Sequence, residues 1–383
     1  MKLHVGLVVV AVSTIGCGVD ELDTGATEQQ ATRAICPDPE ECTLSNGGGV
    51  YTQEVGNAHI GPNDLMLTHF INQPGGGVTL EGREFDAVNG AYFKQTTDWV
   101  GARYLGVSYS LFGVYESATV PQFRLLRTNG TPFNVTGNQI LDLELIVEIK
   151  PAFWTISFKV GQNHGQDIHG NPDGQLLPGP GSQHVTVNAF DMFWNPGQTR
   201  AQTPQPYCHL APKLVTNPPA PETDPVVFQQ GIVVNAVNAV MTPMNNYVTL
   251  SCLHGALATV AWWGYDDHTQ PELFEAAMHM KRASYCGDDS FYTRRNTTIM
   301  IRDTVGNLDN SLFDPLNFEA SWGRPPSGGP IRALCYTPNK ERRPNALYPP
   351  HLGADFNGQC ANAPDILPCA PGAYGSLASQ KSP

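Results

Sequence analysis

Leu141-Asp142-Leu143-Glu144-Leu145-Ile146-Val147-Glu148-Ile149-Lys150, followed after Pro151 and Ala152 by Phe153-Trp154-Thr155-Ile156-Ser157-Phe158-Lys159-Val160, decides the fold. Leu141, Leu143, Leu145, Val147 and Ile149 alternate with Asp142, Glu144, Ile146, Glu148 and Lys150. Trp154, Ile156 and Phe158 alternate with Thr155, Ser157 and Lys159. A period of two sends successive side chains to opposite faces, so each run has one face in a core and the other toward water. The two read as neighbouring antiparallel strands.

Working outward, further strands are expected at Asp64–Ile71, Ala102–Ser110, Gln122–Arg127 and His184–Phe190. Turn-forming clusters separate them at Gln73-Pro74-Gly75-Gly76-Gly77, Asn129-Gly130 and the Gly/Pro stretch 170–181. Residues 50–195 therefore read as an antiparallel β domain, sandwich-like. Residues 196–225 hold eight prolines; proline fixes φ and removes a donor, so the stretch reads as a linker. Residues 226–340 read as a smaller α+β domain. Strands are expected at Val226–Val234 and Tyr247–Cys252 around a turn at 242–246, and at Thr297–Asp303 and Leu316–Trp322. A helix is expected over Pro271–Tyr285, where Pro271 suits the first turn, Glu272 and Glu275 the positive end, and Lys281 and Arg282 the negative end. Residues 341–383 read as a Pro/Gly-rich tail. The fold class is mainly β with α+β: an N-terminal sandwich-like domain plus a disulfide-braced α+β domain.

The N-terminus carries the address. Met1-Lys2 precedes an apolar run from Val5 to Ile15 that closes on Gly16-Cys17, the layout of a secretory signal over residues 1–16. Cysteine immediately after small residues resembles the lipobox of bacterial lipoproteins, in which Cys17 is acylated and becomes the first mature residue. Residues 17–49 then form the lipidated cysteine and a polar tether. Two or three acyl chains anchor firmly where one does not, so the expected location is the cell envelope, at the outer membrane or cell surface. Gly18 after the acylated cysteine favours outer-membrane sorting, by analogy with other bacteria. No later segment reaches the roughly 18 apolar residues that span a bilayer.

The other eight cysteines, Cys36, Cys42, Cys208, Cys252, Cys286, Cys335, Cys360 and Cys369, are an even set. Export to an oxidising compartment makes them disulfides. Structural zinc wants thiolates two to four residues apart, and neither Cys36/Cys42 nor Cys360/Cys369 meets that spacing. The economical local bridges are Cys36–Cys42 and Cys360–Cys369. The other four allow three pairings, of which Cys208–Cys252 with Cys286–Cys335 is preferred.

Composition bounds function more than it defines it. The chain has 383 residues, 41% hydrophobic and 15% charged, with a formal net charge of −13. That charge repels polyphosphate, so no nucleic-acid partner is expected. The elbow, zincin, phosphate-loop and dinucleotide motifs of familiar enzymes are absent. Around 164–174, Asp167, Asn171 and Asp173 approach a calcium-loop pattern, but Pro172 occupies the place of the required glycine, and the segment reads as a turn. Neither metal nor cofactor is expected. Trp262, Trp263 and Tyr265 beside Asp266, Asp267 and His268 could line a sugar or peptide groove; a core-facing tryptophan followed by a turn is the plainer account. The expected partners are the membrane, through the lipid, and a protein or glycan ligand.

Between 225 and 340 a resemblance appears. Ser251-Cys252-Leu253-His254-Gly255, Trp263-Gly264-Tyr265, Arg282-Ala283-Ser284-Tyr285-Cys286-Gly287-Asp288-Asp289 and Phe318-Glu319-Ala320-Ser321-Trp322 resemble the ADYC domain of myxobacterial exported proteins. That domain is named for an Ala-Asp-Tyr-Cys tetrapeptide. Here Ser284 stands for the aspartate, a change that a structural role survives more easily than a catalytic one. The resemblance implies an exported, often lipid-anchored protein with no established activity. It also implies two further cysteines at positions that fall here near Val260 and Ala277. Loss of one complete bridge would leave those two residues within bridging distance. The resulting expectation is a cell-envelope lipoprotein with a binding or structural role. The alternative is an extracytoplasmic hydrolase or carbohydrate-active enzyme using Asp266, Asp267, Asp288, Asp289 and Glu319.

Overall fold

The structure is a computed structural model describing residues 66–381 outside 87–90, 98, 118–119, 150–151, 160–175, 179–185, 200–203, 209–225, 236–238, 253–254, 288–298, 305–317, 341–355, 361–363 and 371–374. Cys17, Cys36, Cys42, Asp288, Asp289 and the 164–174 turn lie outside the described residues. In chain order the first strands are β1 (Met66–Asn72), β2 (Val78–Asp86), β3 (Ala91–Thr96), β4 (Trp99–Tyr104), β5 (Val107–Ser117), β6 (Val120–Leu126) and β7 (Pro132–Thr136). A 3-10 turn at Gly137–Asp142 leads into β8 (Leu143–Ile149), β9 (Ala152–Lys159), β10 (Leu176–Pro178), β11 (Thr186–Pro196), β12 (Gln205–Pro206), β13 (Val226–Val234) and β14 (Met241–Cys252). Then come α1 (Ala256–Trp262), α2 (Pro271–Arg282), β15 (Ile299–Asp303), β16 (Phe318–Gly323), β17 (Arg332–Tyr336) and β18 (Leu377–Lys381).

β8 and β9 pair antiparallel as their alternation requires, Val147 opposite Trp154 and Leu145 opposite Ile156. Leu143, Leu145, Val147, Ile156 and Phe158 are all buried. They sit inside one antiparallel path running β3-β2-β1-β14-β13-β11-β9-β8-β4-β5-β6-β7. The path folds over on itself at β11, which pairs with β9 along six residues but with β13 only at Ala189 and Phe190. The two halves enclose a core in which Phe70, Phe123, Phe158, Phe190 and Phe228 meet edge-on, tilted or stacked at ring separations of 5.4 to 6.4 Å. Offset and edge contacts of this kind suit the aromatic quadrupole.

The sheet runs past the proline-rich stretch expected to be a linker. β12 pairs with β11, and β13 and β14 continue the sheet, with Cys208 bridged to Cys252. β13 serves two cores: Val226 and Phe228 face the sandwich, while Val227, Ile232 and Val234 face the helices. Burial on both faces explains why apolar residues stand side by side at both of its ends, Val226-Val227-Phe228 and Ile232-Val233-Val234. Beyond it come α1 and α2, then a four-stranded antiparallel sheet ordered β15-β18-β16-β17. β18 stands inside that sheet, although the stretch from 341 onward reads as a tail by composition.

Two turns differ from expectation. Thr242–Asn246 is not the hairpin turn; Thr242, Pro243 and Met244 pair with Val233, Ile232 and Gly231, and the chain reverses between Asn235 and Val240. Ala102–Ser110 is not one strand; it breaks at Leu105-Gly106 into β4 and β5. Both residues have positive φ, 50° and 79°, and a leucine in that conformation leaves no mark in a sequence. The helix expected to reach Tyr285 ends at Arg282 because Ala283 turns left-handed (φ 52°). Its N–H donates to Met280 O and the N–H of Ser284 donates to His279 O, a Schellman closure. From Ala276 to Arg282 the helix is buried on every side, since it lies between α1 and the small sheet.

Two disulfide pairings are corrected. Cys286 joins Cys360 rather than Cys335, and Cys335 joins Cys369 rather than leaving Cys360 and Cys369 to each other. Economy of loop length does not decide pairing when the strands themselves bring distant segments together. Among the described residues no helix is long and apolar enough to cross a membrane.

Candidate functional site

The corner between α1 and α2 carries the densest group of ionisable side chains that the sequence singled out. α1 ends at Trp262, and Gly264 (φ 93°) swings the chain so that Tyr265 returns to the core, its N–H donating to Val260 O. The Tyr265 hydroxyl donates to Asp303 Oδ2 at 2.8 Å, at the end of β15. Burial first, and then the Asp303 charge, push that phenol far above its ordinary range. Asp303 was not among the sequence candidates; its role depends on a contact between residues 38 positions apart.

Asp266 Oδ1 accepts from the backbone N–H groups of His268 and Thr269 at 2.8 and 3.0 Å. Burial disfavours its ionised form, but those N–H groups outweigh the penalty and hold the carboxyl below the ordinary range. Asp267 goes the other way: burial raises it, against the pull of His268, whose Nδ1 lies 3.1 Å from Asp267 Oδ1. Donor atoms of Asp266, Asp267 and His268 all lie within 4.8 Å of one another. Two oxygens and one imidazole nitrogen suit a divalent cation in kind, yet the same atoms build a turn. The carbonyl of Asp266 accepts from Gln270 N, and Gln270 precedes Pro271 at the first turn of α2. His268 lies over Gly231, where an added Cβ would come within 3.2 Å of His268 Nε2 and φ is +90°. The corner thereby keys the helices onto the bulge in β13. Trp263 is buried, as the plainer account expected; nothing is described of the Trp262 side chain.

The tetrapeptide Ala283–Cys286 lies at the other end of α2 and is built inward. Ala283 and Ser284 are fully buried. Tyr285 is sandwiched between Phe356 (4.4 Å, 11°) and Trp322 (5.3 Å, 24°), and its hydroxyl donates to Glu319 Oε1 at 2.6 Å. Its carbonyl accepts from Ala333 N, and Cys286 bridges to Cys360. Gly287 (φ 70°) must be glycine, because a Cβ there would sit 2.3 Å from Ile331 O. In five consecutive residues, Ala283 to Gly287, the chain ends a helix, fills the core, joins β16 and β17, and clamps the 356–360 segment.

Of the five carboxylates proposed from sequence, the structure thus brings Asp266 and Asp267 together at the corner and buries Glu319 in the core. Val260 and Ala277, marked by the resemblance, are both fully buried in the same cluster, on α1 and α2 respectively.

Residues 152–342 match the family model of the ADYC domain. The match opens at β9, well before residue 225, so it takes in the strands shared by both cores. It closes before Phe356, Cys360, Cys369 and β18, which complete the small sheet. No curated protein and no solved structure matches the chain.

Proposed function

We propose that this is an exported cell-envelope lipoprotein, anchored through acylated Cys17 at the outer membrane or cell surface, with a binding or structural role. The observation that carries the non-catalytic part is the inward construction of the tetrapeptide. Ser284 and Tyr285 are fully buried and Cys286 is committed to a bridge, so this signature supplies packing, capping and cross-linking, with no reacting atom offered to a substrate. Three disulfides among the described residues support an oxidising, extracytoplasmic setting. The leader and Cys17 support the anchor.

Intact mass of the native protein from membranes, with and without reduction, tests the reading. A chain beginning at Cys17, carrying acyl mass and gaining eight hydrogens on reduction, is expected, since eight cysteines remain. An unacylated chain with free thiols would overturn it.

A second reading, a hydrolase or carbohydrate-active enzyme, is favoured by one observation. Asp266 and Asp267, adjacent in sequence, are shifted in opposite directions, the separation an acid and a base require. If it holds, the protein turns over a panel of glycosides and esters and Asp267→Asn abolishes that turnover. Equal rates for parent and variant would remove it.

A further inference from the structure

The three described bridges are not placed alike. Cys208 and Cys252 are each 1% exposed and lie in the sandwich core. Cys286 is 2% exposed within the second core, and Cys360 packs against it. Cys335 and Cys369 belong to neither core. Both are half-buried, and their neighbours Leu334, Leu367, Pro368 and Ala370 are exposed. A thiolate must reach a sulfur to break a disulfide, so a bridge at the surface is reduced where one in a core resists.

Cys335–Cys369 fastens a short stretch of chain along the outer edge of β17. Tyr336 N donates to Leu367 O at 3.2 Å, Cys369 N donates to Tyr336 O at 2.8 Å, and Tyr336 pairs with Pro368 in parallel. The chain on either side of this stretch is held by other means. Before it, Ile366 is buried with its N–H on Gly358 O at 2.7 Å, and Cys360 is bridged to Cys286. After it, β18 is paired on both sides, with β15 and β16. Opening Cys335–Cys369 therefore frees a stretch whose two ends stay fixed, and the small sheet does not come apart with it.

We propose that Cys335–Cys369 is a reducible latch, opened by a dithiol, that uncovers the edge of β17. One thiolate of the dithiol attacks Cys369 Sγ, forming a mixed disulfide and expelling Cys335 as a thiolate. The second thiol of the reductant then displaces Cys369, and the reductant leaves as its own disulfide. Two electrons pass to the bridge, and the two cysteine thiolates each take up a proton. Cys369 is the sulfur attacked because it stands between exposed Pro368 and Ala370, whereas Cys335 is backed by Ser321 of β16. Once the latch opens, the N–H and C=O of Tyr336 lose Leu367 and Cys369, and a bare strand edge is a template for another extended segment. The latch works in the same way whether or not Cys17 is acylated.

The test uses the full mature chain in its oxidised form, treated with graded dithiothreitol. Free thiols are alkylated with one label, the remaining bridges are reduced and alkylated with a second, and each cysteine peptide is read by mass. Cys335 and Cys369 are expected to take the first label roughly ten-fold faster than Cys208, Cys252, Cys286 and Cys360. In that partly reduced protein, amide hydrogen exchange is expected to quicken in the peptides holding Tyr336 and Cys369, while α2 and β16 keep their protection. Cys335→Ser with Cys369→Ser is expected to show the same exchange pattern without reductant. Equal reduction rates at the three bridges overturn the proposal. So does loss of protection in α2 and β16 together with the first bridge, which makes Cys335–Cys369 a structural staple, and so does reduction that leaves exchange at Tyr336 unchanged.

Discussion

His279 shows how far a single side chain can depart from what its sequence position suggests. It lies in the last turn of α2, unremarked beside Lys281 and Arg282 in the sequence, yet it is wholly buried, and neither ring nitrogen finds a hydrogen-bond partner among the described residues. Burial first, and then the charge of Arg282, lower its pKa from 6.5 to about 3. Lys281 and Arg282 on its own helix, Tyr285 just beyond it and Glu319 on β16 are other ionisable groups buried in this region. Above pH 6.5 the imidazole is neutral both folded and unfolded, and contributes no pH dependence. Between pH 6.5 and about 3 the unfolded chain takes the proton and the folded chain does not, so stability declines as the pH is lowered. The limiting slope from this residue is about 1.4 kcal/mol per pH unit. Denaturant unfolding from pH 7 to 4.5 should show the decline, and His279→Leu should flatten it by that amount; parallel curves for parent and variant would contradict the assignment. Composition and charge pattern gave His279 a place on the helix but not its burial, because the small sheet that covers it is assembled from segments as far away as residue 381. Leu105 was hidden for a different reason: a left-handed φ at a non-glycine residue has no signature in sequence.

Regular elements were legible where one pattern ruled them. The alternation in β8 and β9 and the terminal charges and proline of α2 put these elements in place, because each has a local cause. α1 was missed: Ala256–Trp262 is nearly all apolar, has no side-chain cap and opens on Gly255, so no polar face announces it. β18 was missed because Leu377-Ala378-Ser379-Gln380-Lys381 follows a stretch of proline and glycine and becomes a strand through its neighbours on both sides. Helix packing supplies the prediction proper to this scale. With Val260 on α1 and Ala277 on α2 buried together, Val260→Cys with Ala277→Cys should form a disulfide without reductant or backbone adjustment. Closing a loop of roughly 17 residues, it should add about 3 kcal/mol to stability in the chain-entropy model. Two free thiols in the folded double variant, counted by alkylation and mass, would show the helices to be too far apart.

At the scale of the molecule, the mainly β architecture was legible and the sharing of β13 between two cores was not, because the proline-rich stretch looks like a boundary whether or not strands rejoin across it. The corner at Asp266–His268 was named from sequence, but its dependence on Gly231 and Asp303 required the assembled sheet. One consequence concerns the residues after the family match. A chain ending at Arg342 would lack β18 between β15 and β16 and the partners of both Cys286 and Cys335. It is expected to lose cooperative thermal unfolding in the small sheet and to be cut by protease at Phe318–Tyr336; protection equal to that of the full chain would refute this. The bridges carry a further consequence for biosynthesis. Cys286–Cys360 and Cys335–Cys369 interlace, each spanning one end of the other. If the polypeptide is exported as proposed and enters an oxidising compartment N-terminus first, Cys335 reaches Cys286 before Cys360 has arrived. Oxidation in order of appearance would then make the wrong bond first, and maturation would become a task for a thiol-exchanging isomerase, with the Cys286–Cys335 species the one to be caught by rapid alkylation.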